Sequence, residues 1–408
     1  MNLFAGGFQT ATQSARAMGM GLAFVGQASD ASSIYYNAAG ITNTRGFNVL
    51  FGTTLIMPSV DFTGPTPLTT KSTTVDRTFT PINFYATYSM DNGLSFGLGV
   101  YNPYGLGSEW PETWIGKALA VKTDLKTFYI NPTVAYKVSD KFSVGVGLDY
   151  IISNAQFLQN IDIPAIPLAP GVALPEAPNV GVNLEGDGDA AFTFNLGLQY
   201  KANEDLSIGL SYRHQAEITI NGDLTFENLP DKPAGFPVGH SDLFPEGAGV
   251  AKLTMPYDLR AGVSYNAMEN LTINVDFQYA GWESYKELAV DFEKNTAAWE
   301  DLKTVKDWKN SFTFRLGGEY RLNALALRAG YAFDATPIPT KTMDPSLPGA
   351  DRHDITLGLG YQITPNIRVD AAYQHFSYDQ NVTDSIIPFN GLYETSTNLF
   401  GFNLEFAF

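Results

Sequence analysis

The sequence predicts an all-β protein, a 14-stranded antiparallel transmembrane β-barrel with an N-terminal plug inside its lumen. Three observations predict this fold. Apolar and polar residues alternate with a period of two through long segments, and the connections between these segments alternate between short and long. The composition is also unusual, since only 16% of the residues are charged while 13% are aromatic. A typical soluble domain has about 25% charged residues.

The alternation is clearest in 271–279, where odd positions read Leu, Ile, Val, Phe and Tyr, and even positions read Thr, Asn, Asp and Gln. Such a pattern gives a strand one apolar and one polar face. Several segments exceed the five or six residues that are usual for soluble strands. The fourteen predicted strands are 47–58, 79–89, 94–101, 123–137, 142–158, 189–200, 206–226, 253–265, 271–292, 308–321, 325–336, 352–362, 366–379 and 395–408.

The short connections fall at one end of this predicted sheet and the long ones at the other. Residues 90–93 and 138–141 read as hairpin turns, whereas 102–122, 159–188 and 227–252 are long. Even strand number, short turns at one end and long loops at the other are typical of transmembrane barrels. Only a helix or a closed sheet pairs every backbone group within a bilayer. The competing interpretation is a large soluble β-protein.

Composition excludes several other classes. No stretch approaches 18 consecutive apolar residues, there is no cysteine, and the net charge of −17 argues against nucleic acid as a partner. The four histidines are scattered and no phosphate-binding glycine loop is visible, so we expect no cofactor, no metal and no enzymatic activity. Met1 leads into the sequence without a signal-peptide pattern.

Residues 1–46 do not alternate. They are rich in Ala, Gly and Ser, with a helix-compatible stretch at 11–20. Fourteen strands enclose a lumen too wide for their own side chains to fill. We therefore divide the chain into a plug, 1–46, and a barrel, 47–408; a disordered tail is the alternative for the first segment.

The plug segment carries a family resemblance. Residues 14–21 (SARAMGMG) and 30–40 (DASSIYYNAAG) resemble the N-terminal hatch of FadL-type outer-membrane transporters of hydrophobic compounds, and further matches follow along the whole chain in order, among them 102–106 (NPYGL), 255–258 (MPYD), 281–285 (GWESY), 308–311 (WKNS), 333–339 (FDATPIP) and 351–353 (DRH). The resemblance implies a hatched barrel in the bacterial outer membrane, in contact with its lipid, and we expect this barrel to be a monomer.

The resemblance also implies a route. Substrate is captured outside, passes to an internal apolar pocket and leaves sideways through an opening in the wall at the third strand. The residues expected at that opening are Phe96, Gly97, Leu98, Gly99, Asn102 and Pro103. Glycine inside a strand permits a bend, although it can equally serve packing against a neighbour.

The family places a carboxylate-contacting basic pair at the inner pocket. Alignment of the motifs puts one member at Lys309 and the other near Asn154, which is not basic. The N-terminus reaches the same pocket, which makes Phe4 and Phe8 candidate lining residues. Long-chain fatty acids are the expected substrates; the missing second charge leaves neutral substrates such as aromatic hydrocarbons as the alternative.

The family hatch motif reads Asn-Pro-Ala, and this chain has Asn37, Ala38 and Ala39 there. Proline would fix φ and remove a donor, so we expect a looser hatch. The apolar loop 159–188, with 227–252, suggests a capture groove for an amphipath, or else a loop that packs on its neighbour.

Passive uptake of hydrophobic molecules is thus the predicted function. The alternatives from other classes are an outer-membrane hydrolase, for which His353 beside Asp351 and Asp354 is the local candidate, and an open water-filled porin.

Overall fold

The structure, a computed structural model, describes residues 6–387 and 389–408, so the candidate Phe4 lies outside the described residues. Its main feature is one antiparallel sheet closed into a ring of fourteen strands, several of them interrupted. These strands are β1 Gly46–Thr63, β2 Ile82–Ser89, β3 Leu94–Tyr101 with Gly105–Glu109, β4 Lys122–Lys137, β5 Phe142–Ile163, β6 Ala177–Gly188 with Ala191–Lys201, β7 Leu206–Arg213 with Ala216–Glu227, β8 Gly247–Met255 with Asp258–Met268, β9 Leu271–Ala280 with Glu287–Phe292, β10 Ser311–Leu322, β11 Leu325–Asp334, β12 Arg352–Thr364, β13 Ile367–Val382 and β14 Gly391–Ala407.

Closure of the ring rests on the pairing of the first strand with the last. β1 and β14 pair without a break from Asn48↔Ala407 to Thr63↔Leu392. Along β12, Ile355, Leu357 and Leu359 are more than half exposed on the outside, while the alternate residues are buried inside. The predicted barrel and its period-two arrangement are therefore confirmed.

Few other regular elements occur. They are helices α1 Ala15–Met18, α2 Ser33–Tyr36 and α3 His240–Leu243, the 3-10 turns Ala38–Asn43, Trp282–Ser284 and Thr340–Thr342, and the short strands Lys71–Thr73, Ile166–Ala169, Val172–Leu174 and Leu302–Val305. Among the described residues, no helix is both long and apolar enough to cross a membrane.

The structure differs from the prediction at the end with the long connections, which we call the outer end. The segment 159–188, expected to be a loop, continues β5 to Ile163 and begins β6 at Ala177. The outer halves of β5 and β6 project beyond the barrel, and we call this half-buried region the dome. Prolines and mixed burial in the dome obscure the period-two alternation of the sequence. The only connection left is 164–176, which carries a short hairpin.

The N-terminal segment fills the lumen. Nearly every described residue from Gly6 to Ile41 is buried, and the strands begin at Gly46. The wall approaches this hatch mainly through inward-facing glycines. A Cβ on Gly317 would lie 2.0 Å from the carbonyl oxygen of Met20, and one on Gly330 would lie 2.1 Å from the Gly21 nitrogen. Only residues without a side chain allow the two backbones to come this close.

Buried charges connect the hatch to the wall. Arg16 in α1 contacts Asp30 of the hatch at 3.3 Å and Glu319 of β10 at 3.1 Å, and Glu319 also accepts a 2.7 Å bond from Arg328. Arg368 reaches Asp30 from β13 at 3.3 Å. Each of these charges has an opposite partner, as buried charges require. The hatch is thereby fixed in one position by interactions from several strands.

The glycine contact predicts a sharp difference between two neighbours on β10. Gly317→Val should unseat the hatch because its side chain meets the Met20 backbone, an overpacking cost of about 1–3 kcal/mol. That cost corresponds to a roughly 5- to 150-fold larger population of unseated hatch, measurable as conductance in planar bilayers.

Gly318→Val is the matched control, since Gly318 faces outward and a Cβ there meets only one backbone oxygen, at 3.8 Å. It should leave the conductance at the level of the unmodified chain. Equal conductance of the two variants would contradict the assigned seat.

Candidate functional site

A groove on the outer dome is the larger of two connected spaces. It has a volume of about 580 Å3, within the range of small-molecule sites. Its walls come from β4, β5, β6, β7, β9 and the loops at the outer end. The residues that define it are Leu119, Phe157, Leu158, Val182, Leu184, Leu224, Leu288, Val290, Phe292, Trp299 and Leu302, with charged residues around them.

Beneath the groove lies a small inner cavity, lined among others by Leu106, Leu125, Leu253 and Ile338. Its volume is about 30 Å3, room for about two water molecules. Its floor is Phe8 of the hatch, whose ring lies 4.8 Å from that of Trp282, 5.7 Å from Trp308 and 5.8 Å from Tyr285, between centroids. We call these four side chains, which pack together where the cavity meets the hatch, the aromatic seal.

The groove and the inner cavity meet at a buried ion pair. Phe157, Leu288, Lys306, Asp344 and Ser346 line both spaces. Burial alone would lower the pKa of Lys306, but the Asp344 carboxylate outweighs it and the pKa is raised; burial would raise the pKa of Asp344, but Lys306 outweighs it and the pKa is lowered. Both groups therefore remain charged at neutral pH.

The barrel wall is interrupted in β3. Between Tyr101 and Gly105 the strand breaks, and among the described residues its outer part pairs as a strand only with β4. The hatch occupies the other side, since the Thr10 N–H donates to the Pro103 carbonyl at 2.7 Å and the Gly105 N–H donates to the Phe8 carbonyl at 2.9 Å. The Gln13 amide donates to the Asn102 carbonyl at 2.7 Å.

The structure thus brings Phe8, Asn102 and Pro103 together, but it places the other predicted wall residues differently. Phe96 and Leu98 point outward from a regular strand paired on both sides. Gly97 and Gly99 make room for Ile34, to which a Cβ would approach within 2.8 and 2.9 Å. Of the two roles left open for these glycines, a bend and packing against a neighbour, the structure supports packing, and the break in the strand comes at 102–104.

The predicted basic position is also corrected. The Lys309 side chain is exposed. The backbone N–H of the same residue donates to the Pro337 carbonyl at 2.8 Å. The buried lysine on the cavity wall is Lys306, three residues earlier. Asn154 lies two residues after the exposed Ile152 on the same strand and therefore points to the outer face of the barrel. Its side-chain amide donates to the Gly186 carbonyl at 3.0 Å. It does not line the inner cavity.

The hatch motif seats the hatch against β5 and β6. The Asn37 amide donates to the carbonyls of Val25 at 3.1 Å and Leu198 at 3.0 Å, and its oxygen accepts from the Ala39 N–H at 3.2 Å. Ala38 and Ala39 are buried, and a Cβ on Gly145 would lie within 2.7 Å of their backbone. The motif is therefore a structural clamp between two hatch segments and the wall.

The apolar segment 159–188 was expected either to form a capture groove or to pack on its neighbour, and its residues divide between lining the groove and packing. Ile163, Val180 and Val182 pack with Leu224, Phe226 and Phe244 in a separate cluster, and Val182 also lines the groove. Much of the apolar surface thus serves to pack the dome on itself.

The local hydrolase candidate does not assemble. His353 is exposed on the outside, where its Nδ1 lies 2.6 Å from the Tyr331 hydroxyl, whereas Asp354 is buried on the inside. Adjacent residues of a strand point to opposite faces. Among the described residues, no group of three or more His, Asp or Glu side chains is placed to hold a metal ion.

Sequence reasoning missed Lys306, Asp344 and the seal residues Trp282, Tyr285 and Trp308. Lys306 and the three aromatic residues lie in or beside the irregular connections 281–286 and 306–310, and Asp344 lies in the connection 335–351. In such connections neither the helix period nor the strand period predicts which side chains point inward. One sequence signal could have indicated this site, because three aromatic residues stand next to breaks in the period-two alternation.

Together, a closed barrel with an apolar outside, a hatch in its lumen and an apolar route that leads to the hatch define an outer-membrane transport protein of the hatched-barrel class. The chain belongs to the outer membrane protein transport protein family (OMPP1/FadL/TodX), whose sequence profile matches residues 2–408. It is therefore located in the outer membrane and is a transporter rather than an enzyme.

Relatives and solved structures agree with this membership. The chain is 25% identical to the long-chain fatty acid transport protein of Escherichia coli O6:H1, over 96% of this chain and 92% of that protein. It is 27% identical, with the same coverage, to a 47 kDa outer membrane protein of Pasteurella multocida. In fold it is similar to a Pseudomonas aeruginosa FadL homologue (TM-score 0.80, 18% identity, 98% and 99% of the two chains) and to the Ralstonia pickettii toluene transporter TbuX (TM-score 0.70, 17% identity, 96% and 97%).

The hatch motif yields a prediction in line with the looser hatch expected from Ala38. Ala38 is the first residue of the 3-10 turn Ala38–Asn43, and Asn37 before it is extended, with φ −162° and ψ 103°. Both features suit proline. Ala38→Pro should therefore stabilise the chain by about 0.4–1 kcal/mol, measured by denaturant unfolding in lipid.

Ala39→Pro is the control, because it removes the N–H that donates to Asn37. It should cost about 1 kcal/mol or more. Destabilisation by Ala38→Pro as well would contradict the described backbone.

Proposed function

We propose that this protein takes up hydrophobic small molecules across the bacterial outer membrane, without a coupled energy source. The observation that carries the proposal is the continuity of the apolar groove with the inner cavity through five shared residues. Burial of apolar surface at roughly 25 cal/mol per Å2 would drive capture. The concentration gradient then drives passage.

In this proposal the aromatic seal is the step between binding and passage. With a volume of about 30 Å3, the inner cavity is far too small for a fatty acid or an aromatic ring in the described arrangement. Phe8 is the part of the seal supplied by the hatch. A bound molecule must therefore displace Phe8, and with it the hatch segment that borders the break in β3.

Long-chain fatty acids are the first candidate substrates, on the strength of the relatives' names. Neutral aromatic hydrocarbons are the second candidate. The specific observation in their favour is that Asn154 does not reach the cavity and that Lys306 already has a carboxylate partner. We further propose that the chain acts as a monomer whose apolar outer face contacts membrane lipid.

Lateral exit at the break in β3 is the proposed last step. Ala11, half-buried, lies in the hatch segment that runs beside Asn102 and Pro103. The opposite exit, straight into the periplasm, would pass the polar mouth lined by Gln27, Asn43 and Gln199. Its polar walls would retard a hydrophobic molecule, which favours exit at the β3 break.

The route is tested by blocking its shared segment. Leu288→Arg places a charge between groove and cavity, and uptake of labelled fatty acid by cells that lack their own uptake system should fall about tenfold or more, since burying an unpaired charge costs several kcal/mol. Val172→Arg, on the exposed tip of the outer hairpin, is the matched control and should not change uptake. Unchanged uptake by Leu288→Arg would reject the route.

The exit is tested by photolabelling during transport. A fatty acid that carries a terminal diazirine is presented to the full chain in proteoliposomes, and labelled peptides are mapped by mass spectrometry. Lateral exit predicts labels near Ala11 and Tyr104. Labels concentrated at Gln27 and Asn43 would contradict it and would indicate passage through the periplasmic mouth.

A further inference from the structure

We propose that the ion pair between Lys306 and Asp344 makes this protein select molecules with an uncharged head group, such as hydrocarbons, alcohols, esters and protonated acids, over carboxylates. The inference rests on the proposed function, because it names the chemical class accepted along the same route. Three observations support the inference: the position of the ion pair, its hydrogen bonds and the balance of charges around it.

The position of the pair gives it control of the route. Both side chains line the groove and the inner cavity, and their exposed fractions are only 9% for Lys306 and 13% for Asp344. A molecule that passes from one space to the other must therefore contact the pair after most of its own water has been removed.

Bonding from several loop segments holds the pair closed. The Asp344 carboxylate accepts from the Lys306 ammonium, from the Ser346 hydroxyl and from the Ser346 N–H, the last at 2.9 Å. The backbone of Lys306 is fixed in turn, since its N–H donates to the Lys286 carbonyl at 2.7 Å and its carbonyl accepts from the Thr342 hydroxyl. The Lys306 ammonium is thus already bonded to a carboxylate of the same chain.

The described residues around the pair supply no surplus positive charge. Among them, the lining of the inner cavity contains no charged residue besides the pair. The lining of the groove contains three basic and three acidic residues, namely Lys122, Lys303, Lys306, Glu300, Asp301 and Asp344. A ligand carboxylate at the junction would be a second negative charge beside Asp344 with only one buried ammonium to share, and the desolvation of such a charge is not repaid.

An uncharged head group meets no such penalty. Its apolar part packs on Leu288, Phe157 and the aromatic seal. At the edge of the closed pair a hydroxyl can donate or accept, and an ester oxygen can accept. The pKa of Asp344 lies below its ordinary value of 3.8 and that of Lys306 above its ordinary 10.5. At pH 8 the pair is therefore fully charged, so ligands can be compared there without a change in the protein.

The experiment compares two ligands of equal chain length, 1-dodecanol and dodecanoate, bound to the full chain in lipid nanodiscs at pH 8. Binding is followed by the fluorescence of the seal tryptophans, with empty nanodiscs subtracted for partitioning. The unmodified chain should bind dodecanol at least about tenfold more tightly than dodecanoate. Asp344→Asn, which frees Lys306, should raise dodecanoate affinity about tenfold and leave dodecanol affinity within about threefold.

Two variants separate this effect from a general change in charge or packing. Glu176→Gln makes the same charge change at an exposed residue of the connection 164–176, outside the linings of the groove and the inner cavity, and should leave the ligand ratio unchanged. Lys306→Met combined with Asp344→Asn removes both charges and should not gain dodecanoate affinity. If Asp344→Asn does not run as a heat-modifiable folded barrel, Asp344→Ser serves the same purpose.

The failures of the two proposals are distinguishable. Equal or tighter binding of dodecanoate by the unmodified chain, or a ligand ratio that Asp344→Asn and Asp344→Ser leave unchanged, overturns the selectivity while transport of hydrophobic molecules stands. Binding of neither ligand by the unmodified chain overturns the proposed function, and the selectivity with it.

Discussion

The structure depends on one constraint, the need to close fourteen strands into a ring. Closure satisfies the backbone hydrogen bonds of the wall, because β1 pairs with β14 along its whole length. The same closure creates a lumen that strand side chains cannot fill. The chain fills it with its own N-terminal segment, and glycines such as Gly317 and Gly330 let backbone contact backbone. Arg16 and Asp30 are then buried, and Glu319 and Arg368 of the wall partner them.

Hatch and wall share one hydrogen-bond system at the break in β3. There the strand edge is left without a neighbouring strand, an unfavourable situation in a barrel wall. The hatch segment from Phe8 to Gln13 supplies the missing partners. The backbone of Phe8 and Thr10 bonds to Gly105 and Pro103, and the side-chain amide of Gln13 bonds to the Asn102 carbonyl. Phe8 is also the floor of the inner cavity. We infer that ligand entry and wall opening are coupled, because a displacement of this one segment changes both.

The barrel was predictable because lipid-facing and lumen-facing residues impose a period of two on the sequence, as in β12. The details of the site were not. Lys306 and Lys309 are three residues apart in an irregular connection, and only its three-dimensional course decides which is buried. Gly97 and Gly99 look like a flexible point, yet they are small because Ile34 packs on them. Asp344 pairs with Lys306 across 38 residues, a distance no local pattern encodes.

The central claim is that one apolar route runs from the groove to the aromatic seal. An experimental structure with bound 1-bromododecane tests it most directly, because the bromine can be located by anomalous scattering. The account predicts bromine between Leu288 and Trp308, with the Phe8 ring displaced from its place between Trp282 and Tyr285. Bromine confined to the outer surface of the barrel or to the periplasmic mouth around Gln27, with the seal unchanged, would contradict it.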